Sequence, residues 1–187
     1  IVFWVTRNRQ SIEFSDESVD LSDEFLIFWK SPDSIGRMLL IKICKAYINS
    51  GKLPGRALIW FAHWLVFQGR YKEACVLFRS INVKTLKNSR VHGELLSMIG
   101  NYFHSRNNPE SSIRFHKKAQ AVLKNNDDKF FQMFNLGTSA KTYAEIGDID
   151  SFNSNILANF DNLNPIEPDE RYGMRLLIYG SYLHFVS

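Results

Sequence analysis

The stretch RALIWFAHWLVFQGRYKEACVLFRSI, residues 56–81, decides the fold of this chain. Its apolar residues recur every three or four positions on both sides of Gln68-Gly69-Arg70, which predicts two amphipathic helices joined by a tight turn. Small residues at Ala62 and Ala74 give the two helices places where their backbones can approach closely. We therefore predict a helical hairpin as the structural unit of the chain.

The first helix of this hairpin has three counterparts further along the chain. Aligning one small residue in each helix gives Ala62, Gly100, Ala140 and Gly180, which are spaced by 38, 40 and 40 residues. A period of this length is typical of helical hairpins arranged in an array. The same spacing of large and small residues surrounds each position: Leu58-x2-Phe61-Ala62-x2-Leu65, Leu96-x2-Ile99-Gly100-x2-Phe103, Leu136-x2-Ser139-Ala140-x2-Tyr143 and Leu176-x2-Tyr179-Gly180-x2-Leu183.

These patterns resemble the tetratricopeptide repeat family, whose hairpins continue into a turn and a second helix marked by small residues. The second helices that carry the resemblance are Gly69-x-Tyr71-x2-Ala74-x3-Phe78 and Ser112-x3-His116-x2-Ala119, the latter after Asn107-Asn108-Pro109. The third unit begins similarly at Gly147-Asp148-Ile149 but has Phe152 where the family has a small residue, so we expect its hairpin to open wider or to shift. The resemblance implies an all-α fold, a right-handed α-α superhelix (solenoid) of helical hairpins.

The chain divides into three parts by sequence. Residues 1–21 begin with β-branched and aromatic residues, and a plausible turn at residues 8–10 is followed by alternating polar and apolar residues at 11–14, which is compatible with a short N-terminal β-hairpin. Residues 22–54 predict a pair of helices, the second over Ile35–Asn49 and ended by Gly51. The repeats cover residues 55–187 in units of about 55–92, 93–132, 133–172 and a partial 173–187. Because the last unit lacks its second helix, we expect either part of a longer protein or copies that associate end to end.

The resemblance also implies where a partner would bind. In the family, the first helix of each hairpin lines the concave surface, and the residue after each small one points into it. The residues expected to bind a protein or peptide partner on this face are His63, Ser97, Asn101, His104, Lys141, Glu145, Ser181 and His184. Ile59, His63 and Met98 do not reproduce the lysines and asparagines with which one branch of the family holds C-terminal carboxylates, so that activity is not carried over.

Motifs for catalysis, cofactors and metals are missing from the sequence. HExxH, GxSxG and GxGxxG do not occur, and Gly51-Lys52 lacks the preceding glycine of a phosphate-binding loop. The five histidines do not show the spacing of metal ligands. We therefore predict a protein that is not an enzyme and binds no cofactor.

Composition favours a folded cytoplasmic domain. Hydrophobic residues make up 45% of the chain, enough for a sizeable core. Cys44 and Cys75 lie among apolar neighbours, which predicts reduced cysteines in the core. No apolar run reaches the roughly 18 residues that a membrane span requires, so no membrane association is expected.

Charge is distributed in three blocks. Residues 1–29 hold two bases and six acids, residues 30–129 hold 18 bases and six acids, and residues 130–187 hold three bases and seven acids. A basic middle between acidic ends is usually a solvated surface, and the alternative is a patch that attracts an acidic protein or nucleic acid. Nucleic acid is a less favoured partner, because the basic residues Arg114, Lys117, Lys118 and Lys124 show no interleaved aromatic residues.

A second hypothesis comes from another functional class. Helical arrays with repeats near 40 residues are similar to the helical domains of large ATP-dependent regulators of the LuxR type, which receive a ligand or partner. Residues 13–29 are also loosely similar to the opening of winged-helix output domains. The DNA-reading helix would then be Ile35–Asn49, which is mostly apolar. This alternative describes the chain as a sensing segment of a larger regulator.

Overall fold

A computed structural model of the chain describes residues 14–15, 32–81, 86, 89–124 and 129–162. The described part is all-α in class and forms two compact units, Ile1–Val91 and His92–Ser187. Its helices are α1 (Pro32–Ser50), α2 (Gly55–Phe67), α3 (Tyr71–Ser80), α4 (Ser89–His104), α5 (Pro109–Leu123), α6 (Lys129–Glu145) and α7 (Ile149–Asn162), and its strands are β1 (Phe14–Ser15) and β2 (Leu53–Pro54).

Helix α2 forms the core of the first unit. Every residue from Gly55 to Val66 is buried except Arg56 and Trp64, so the helix is apolar around almost its whole circumference. It packs on α1, α3 and β2. A helix with so little exposed surface needs neighbours on several sides, and these three elements provide them.

Helix α1 packs on α2 through one narrow face. Its buried hydrophobic side chains, one in each turn, are Ile35, Leu39 and Ile43. Gly36 lies so close to α2 that a Cβ atom there would be 2.4 Å from the Trp64 ring. The sequence predicts a wider apolar stripe, but Ile41 and Ile48 are 53% and 78% exposed. Gly36 and the positions that repeat every four residues face α2, so the contact surface is narrow.

Both cysteines lie outside the fully buried core, so the prediction that they are core residues is wrong. Cys44 is exposed and Cys75 is half-buried, and both are free. Cys44 directly follows the buried Ile43, and one residue corresponds to a rotation of about 100° around a helix. Its apolar neighbours in sequence therefore do not surround it in the structure.

A short parallel ladder joins β1 to β2, pairing Phe14 with Leu53 and Ser15 with Pro54. The sequence places Phe14 in the hairpin predicted within residues 1–21, whereas here it pairs with β2. The rest of that hairpin and the helix predicted after residue 22 lie outside the described residues. A strand of two residues that contains proline has no period to detect, so sequence could not predict β2.

One type of turn closes all three helical hairpins, α2–α3, α4–α5 and α6–α7. Each first helix is followed by a residue with positive φ: Gly69 at 70°, Asn107 at 53° and Gly147 at 73°. These residues lie 38 and 40 residues apart, which is the spacing predicted from Ala62, Gly100 and Ala140. The helical-repeat pattern in the sequence is therefore present in the backbone.

Two backbone hydrogen bonds define each of these turns. In the first, the Gly69 amide donates to the Val66 carbonyl at 3.0 Å and the Arg70 amide donates to the Leu65 carbonyl at 2.9 Å. The equivalent bonds at Asn107 and Gly147 measure 2.9 to 3.1 Å. They satisfy carbonyl groups that the end of a helix would otherwise leave without partners.

The residue after each turn begins the second helix. Asn108 Oδ1 accepts a hydrogen bond from the Ser111 amide, and Asp148 Oδ1 accepts one from the Ser151 amide, each at 3.0 Å. In the first hairpin Arg70 takes this position and forms a two-point ion pair with Glu73 at 2.6 and 2.7 Å. The side-chain cap and the ion pair both stabilise the first turn of the second helix.

The second unit shows why the aligned position needs a small residue. Gly100 on α4 faces the ring of His116 on α5, and a Cβ atom there would lie 2.7 to 2.9 Å from the imidazole. Phe103 stacks on Phe115 nearby, with ring centroids 5.4 Å apart. The absence of a side chain at Gly100 therefore lets α4 and α5 approach each other closely.

The third hairpin accommodates Phe152 opposite a small residue. Phe152 on α7 is 2% exposed and belongs to one buried cluster with Ala140 and Tyr143 of α6. The side chain that departs from the family pattern is thus part of the core. Ala140 leaves the space that the ring fills.

Replacing Gly147 with alanine should destabilise the fold by about 1 kcal/mol, because a Cβ atom disfavours positive φ. Asn107→Gly should be neutral or slightly stabilising, since glycine adopts the same backbone more readily. Urea unfolding of both variants measures the difference. Equal stability of Gly147→Ala and the wild type would contradict the positive φ at Gly147.

Gly100→Ala should cost about 1 to 3 kcal/mol, because the new methyl group overlaps the His116 ring. Combining it with His116→Ala should reduce that cost, since the ring is then absent. A double-mutant cycle from urea unfolding gives the coupling between the two positions. Additive effects would show that Gly100 and His116 do not meet.

Candidate partner-binding surface

Two residues predicted to bind a partner meet at the surface of the second unit. His104 and Glu145 are the last residues of α4 and α6. His104 Nδ1 lies 3.3 Å from Glu145 Oε2, and the two side chains are 16% and 37% exposed. The structure therefore brings together residues from the first helices of two successive hairpins.

Thr142 holds this pair from the buried side. Its Oγ1 atom lies 3.1 Å from His104 Nδ1 and 3.2 Å from Ser112 Oγ. Thr142 and Ser112 are fully buried. A buried hydroxyl chain thus orients the imidazole, while the carboxylate of Glu145 borders the solvent.

A small cleft of about 190 Å³ opens beside the pair. Its lining residues are His104, Asn107, Pro109, Glu145 and Ile146. Small-molecule sites usually measure about 300–1,000 Å³, so this cleft suits a side chain better than a cofactor. Ile146 is 47% exposed and adds an apolar wall next to the carboxylate.

The remaining predicted site residues differ in accessibility. Asn101 is half-buried, one turn before His104, and Lys141 is exposed, one turn before Glu145. His63 and Ser97 are 2% and 0% exposed, so neither presents a surface to a partner in this conformation. Position on a helix predicts direction, whereas burial depends on the neighbouring elements. Ser181 and His184 lie outside the described residues.

Two buried histidines are neutral. Burial lowers the pKa of His63 to about 3 and the pKa of His116 to about 4, the latter despite a hydrogen bond to Asn135. His116 Nδ1 donates to Asn135 Oδ1 at 2.9 Å, and Asn135 Nδ2 donates to the His116 carbonyl at 3.0 Å. His63 contacts the Trp60 and Phe67 rings edge-on. Both histidines pack inside their units.

The His104 pair lacks the geometry of a catalytic relay. Glu145 and Thr142 both contact Nδ1, whereas a nucleophile, histidine and carboxylate relay uses the two opposite ring nitrogens. Among the residues that the structure describes, no group of three or more His, Cys, Asp or Glu side chains could hold a metal ion. Thr142 and Glu145 therefore share one nitrogen of the His104 ring.

Sequence reasoning missed an aromatic residue among the basic residues of α5. Arg114 Cζ and Lys118 Nζ lie over the Phe115 ring, 5.7 and 5.4 Å from its centroid. The statement that this basic group lacks interleaved aromatic residues is therefore wrong. The signal was present, because Phe115 adjoins Arg114 and precedes Lys118 by three positions.

Comparison with protein-family models, with curated proteins and with solved structures finds no match for this chain. The resemblance to tetratricopeptide repeats therefore rests on the residues and turns described above. None of the helices within the described ranges has the length and hydropathy needed to cross a membrane.

Acidification should destabilise the protein through His63 and His116. Their folded pKa values lie below the usual 6.5, so the unfolded chain takes up protons first as the pH falls. Stability should be constant above pH 7 and fall below about 6.5, by about 2 kcal/mol per histidine between pH 7.5 and 5.

Urea unfolding at the two pH values measures this loss. His63→Phe, which keeps an aromatic ring between Trp60 and Phe67, should remove the contribution of His63. An unchanged pH dependence in that variant would contradict the assignment.

Proposed function

We propose that this chain is a non-catalytic scaffold that binds a protein or peptide through the first helices of its hairpins. In this proposal the hairpins form a right-handed, tetratricopeptide-like superhelix. The observation that supports it most strongly is the meeting of His104 and Glu145, 3.3 Å apart, from two hairpins closed by the same turn. Both were predicted from sequence to face a partner.

The chemistry of this surface fits an extended polypeptide. Asn101 offers an amide that both donates and accepts hydrogen bonds, as peptide groups require. Lys141 and Glu145 add opposite charges on one face of α6, and Ile146 adds an apolar contact in the cleft. A partner with a cationic or amide-bearing side chain beside an apolar one would match Glu145 and Ile146.

Energetics also favour an exchangeable contact between His104 and Glu145. A contact between side chains exposed to this degree contributes little to stability, about 0–1 kcal/mol even when both groups are charged. Loss of the His104 contact would therefore cost the fold little when Glu145 binds a partner. The buried bonds of Thr142 keep His104 in place when this happens.

The proposal is tested with a displayed library of random peptides, selected on the intact chain. Peptides that bind should lose about tenfold or more in affinity for a triple variant, Asn101→Ala with Lys141→Ala and Glu145→Ala, because three contacts are removed. Fluorescence anisotropy measures the affinities, and circular dichroism checks the fold.

A matched control uses the same residue types elsewhere on the surface: Asn153→Ala with Lys72→Ala and Glu110→Ala, all exposed. The control should bind as the wild type does. If the two triple variants bind the selected peptides equally well, the surface around His104 and Glu145 is not the binding site.

A further inference from the structure

The exposed face of α5 carries a row of cations. Arg114, Lys117, Lys118 and Lys124 are all exposed, and their spacing puts them on one side of the helix. The opposite side is buried and holds Ser112, His116, Ala119 and Leu123. At 1.5 Å per residue the row extends over about 15 Å.

Two of these cations are held in place by an aromatic ring. Arg114 and Lys118 lie over Phe115, which is fixed in turn by stacking on Phe103 with the rings 15° from parallel. A long cationic side chain loses conformational freedom when it binds a ligand. The contacts with Phe115 already restrict the Arg114 and Lys118 side chains, so less conformational freedom is lost on binding.

Few acidic side chains of the described residues lie near the row. None of its four members forms an ion pair with a carboxylate among the described residues. Hydrogen bonds from Ser151 lower the pKa of Asp148, and the charge of Lys117 lowers it further. Glu110, in the first turn of α5, is an exposed acid of this helix. The surplus charge is therefore positive.

We propose that this face of α5 binds an acidic polypeptide segment of a partner protein. Glutamate and aspartate carboxylates match the row in sign, and a guanidinium such as that of Arg114 can bind a carboxylate through two hydrogen bonds. A length of about 15 Å corresponds to about five residues of extended chain. This surface shares no residue with the one around His104 and Glu145.

The geometry favours a peptide over nucleic acid. Single-stranded nucleic acids bind by stacking their bases on open aromatic rings. Phe115 is already engaged by Phe103, Arg114 and Lys118. The row offers four cations, so it would neutralise few phosphates of a duplex.

The test uses the full chain and a fluorescein-labelled peptide of six glutamates, with anisotropy measured at low ionic strength and again at 0.3 M salt. Binding should be present and should weaken with salt, because exposed charges are screened. Arg114→Gln combined with Lys118→Gln should weaken it by about fivefold or more.

The control variant, Lys45→Gln combined with Lys72→Gln, has the same net charge and removes two exposed lysines elsewhere. It should bind the peptide within twofold of the wild type. Equal weakening by both variants would overturn the proposal, because total charge alone would then explain binding. No binding at low salt would also overturn it, as would tighter binding of a thymidine oligonucleotide of equal charge.

Discussion

A residue in the left-handed backbone region closes each helical hairpin, and the rest of the structure depends on it. Gly69, Asn107 and Gly147 reverse the chain within a few residues and let backbone amides satisfy the last carbonyls of the preceding helix. The second helix therefore always begins at the same distance from the first. Because the geometry of the turn is fixed, Gly100 lies opposite His116 and Ala140 lies beside Phe152.

The position of the candidate surface follows from the same turns. His104 lies three residues before Asn107, and Glu145 lies two residues before Gly147, so both stand at the turn end of a first helix. His104 and its partner Thr142 are 38 residues apart, close to one repeat. A contact between residues one repeat apart requires their two helices to lie side by side. The repeat thus brings side chains of α4 and α6 together at the turn ends of these two helices.

Sequence predicted the features that depend on local backbone chemistry. The period, the turns at Gly69, Asn107 and Gly147, and the small residue at Gly100 could all be read from spacing. Features that depend on neighbouring elements could not be predicted from the sequence. His63 and Ser97 lie at positions predicted to face a partner, yet other side chains cover them. Cys44 has apolar neighbours along the chain but is exposed, because helical rotation separates it from Ile43.

The two units are stabilised by different means, and this bears on where function resides. Helix α2 relies on apolar burial, which is not directional and tolerates small changes in position. The second unit places hydrogen-bonded polar groups between its helices: Ser112 with Thr142, and His116 with Asn135. Such bonds are satisfied in only one register, so they fix the positions of α5 and α6. His104 is attached to that network through Thr142, and its orientation is set before any partner arrives.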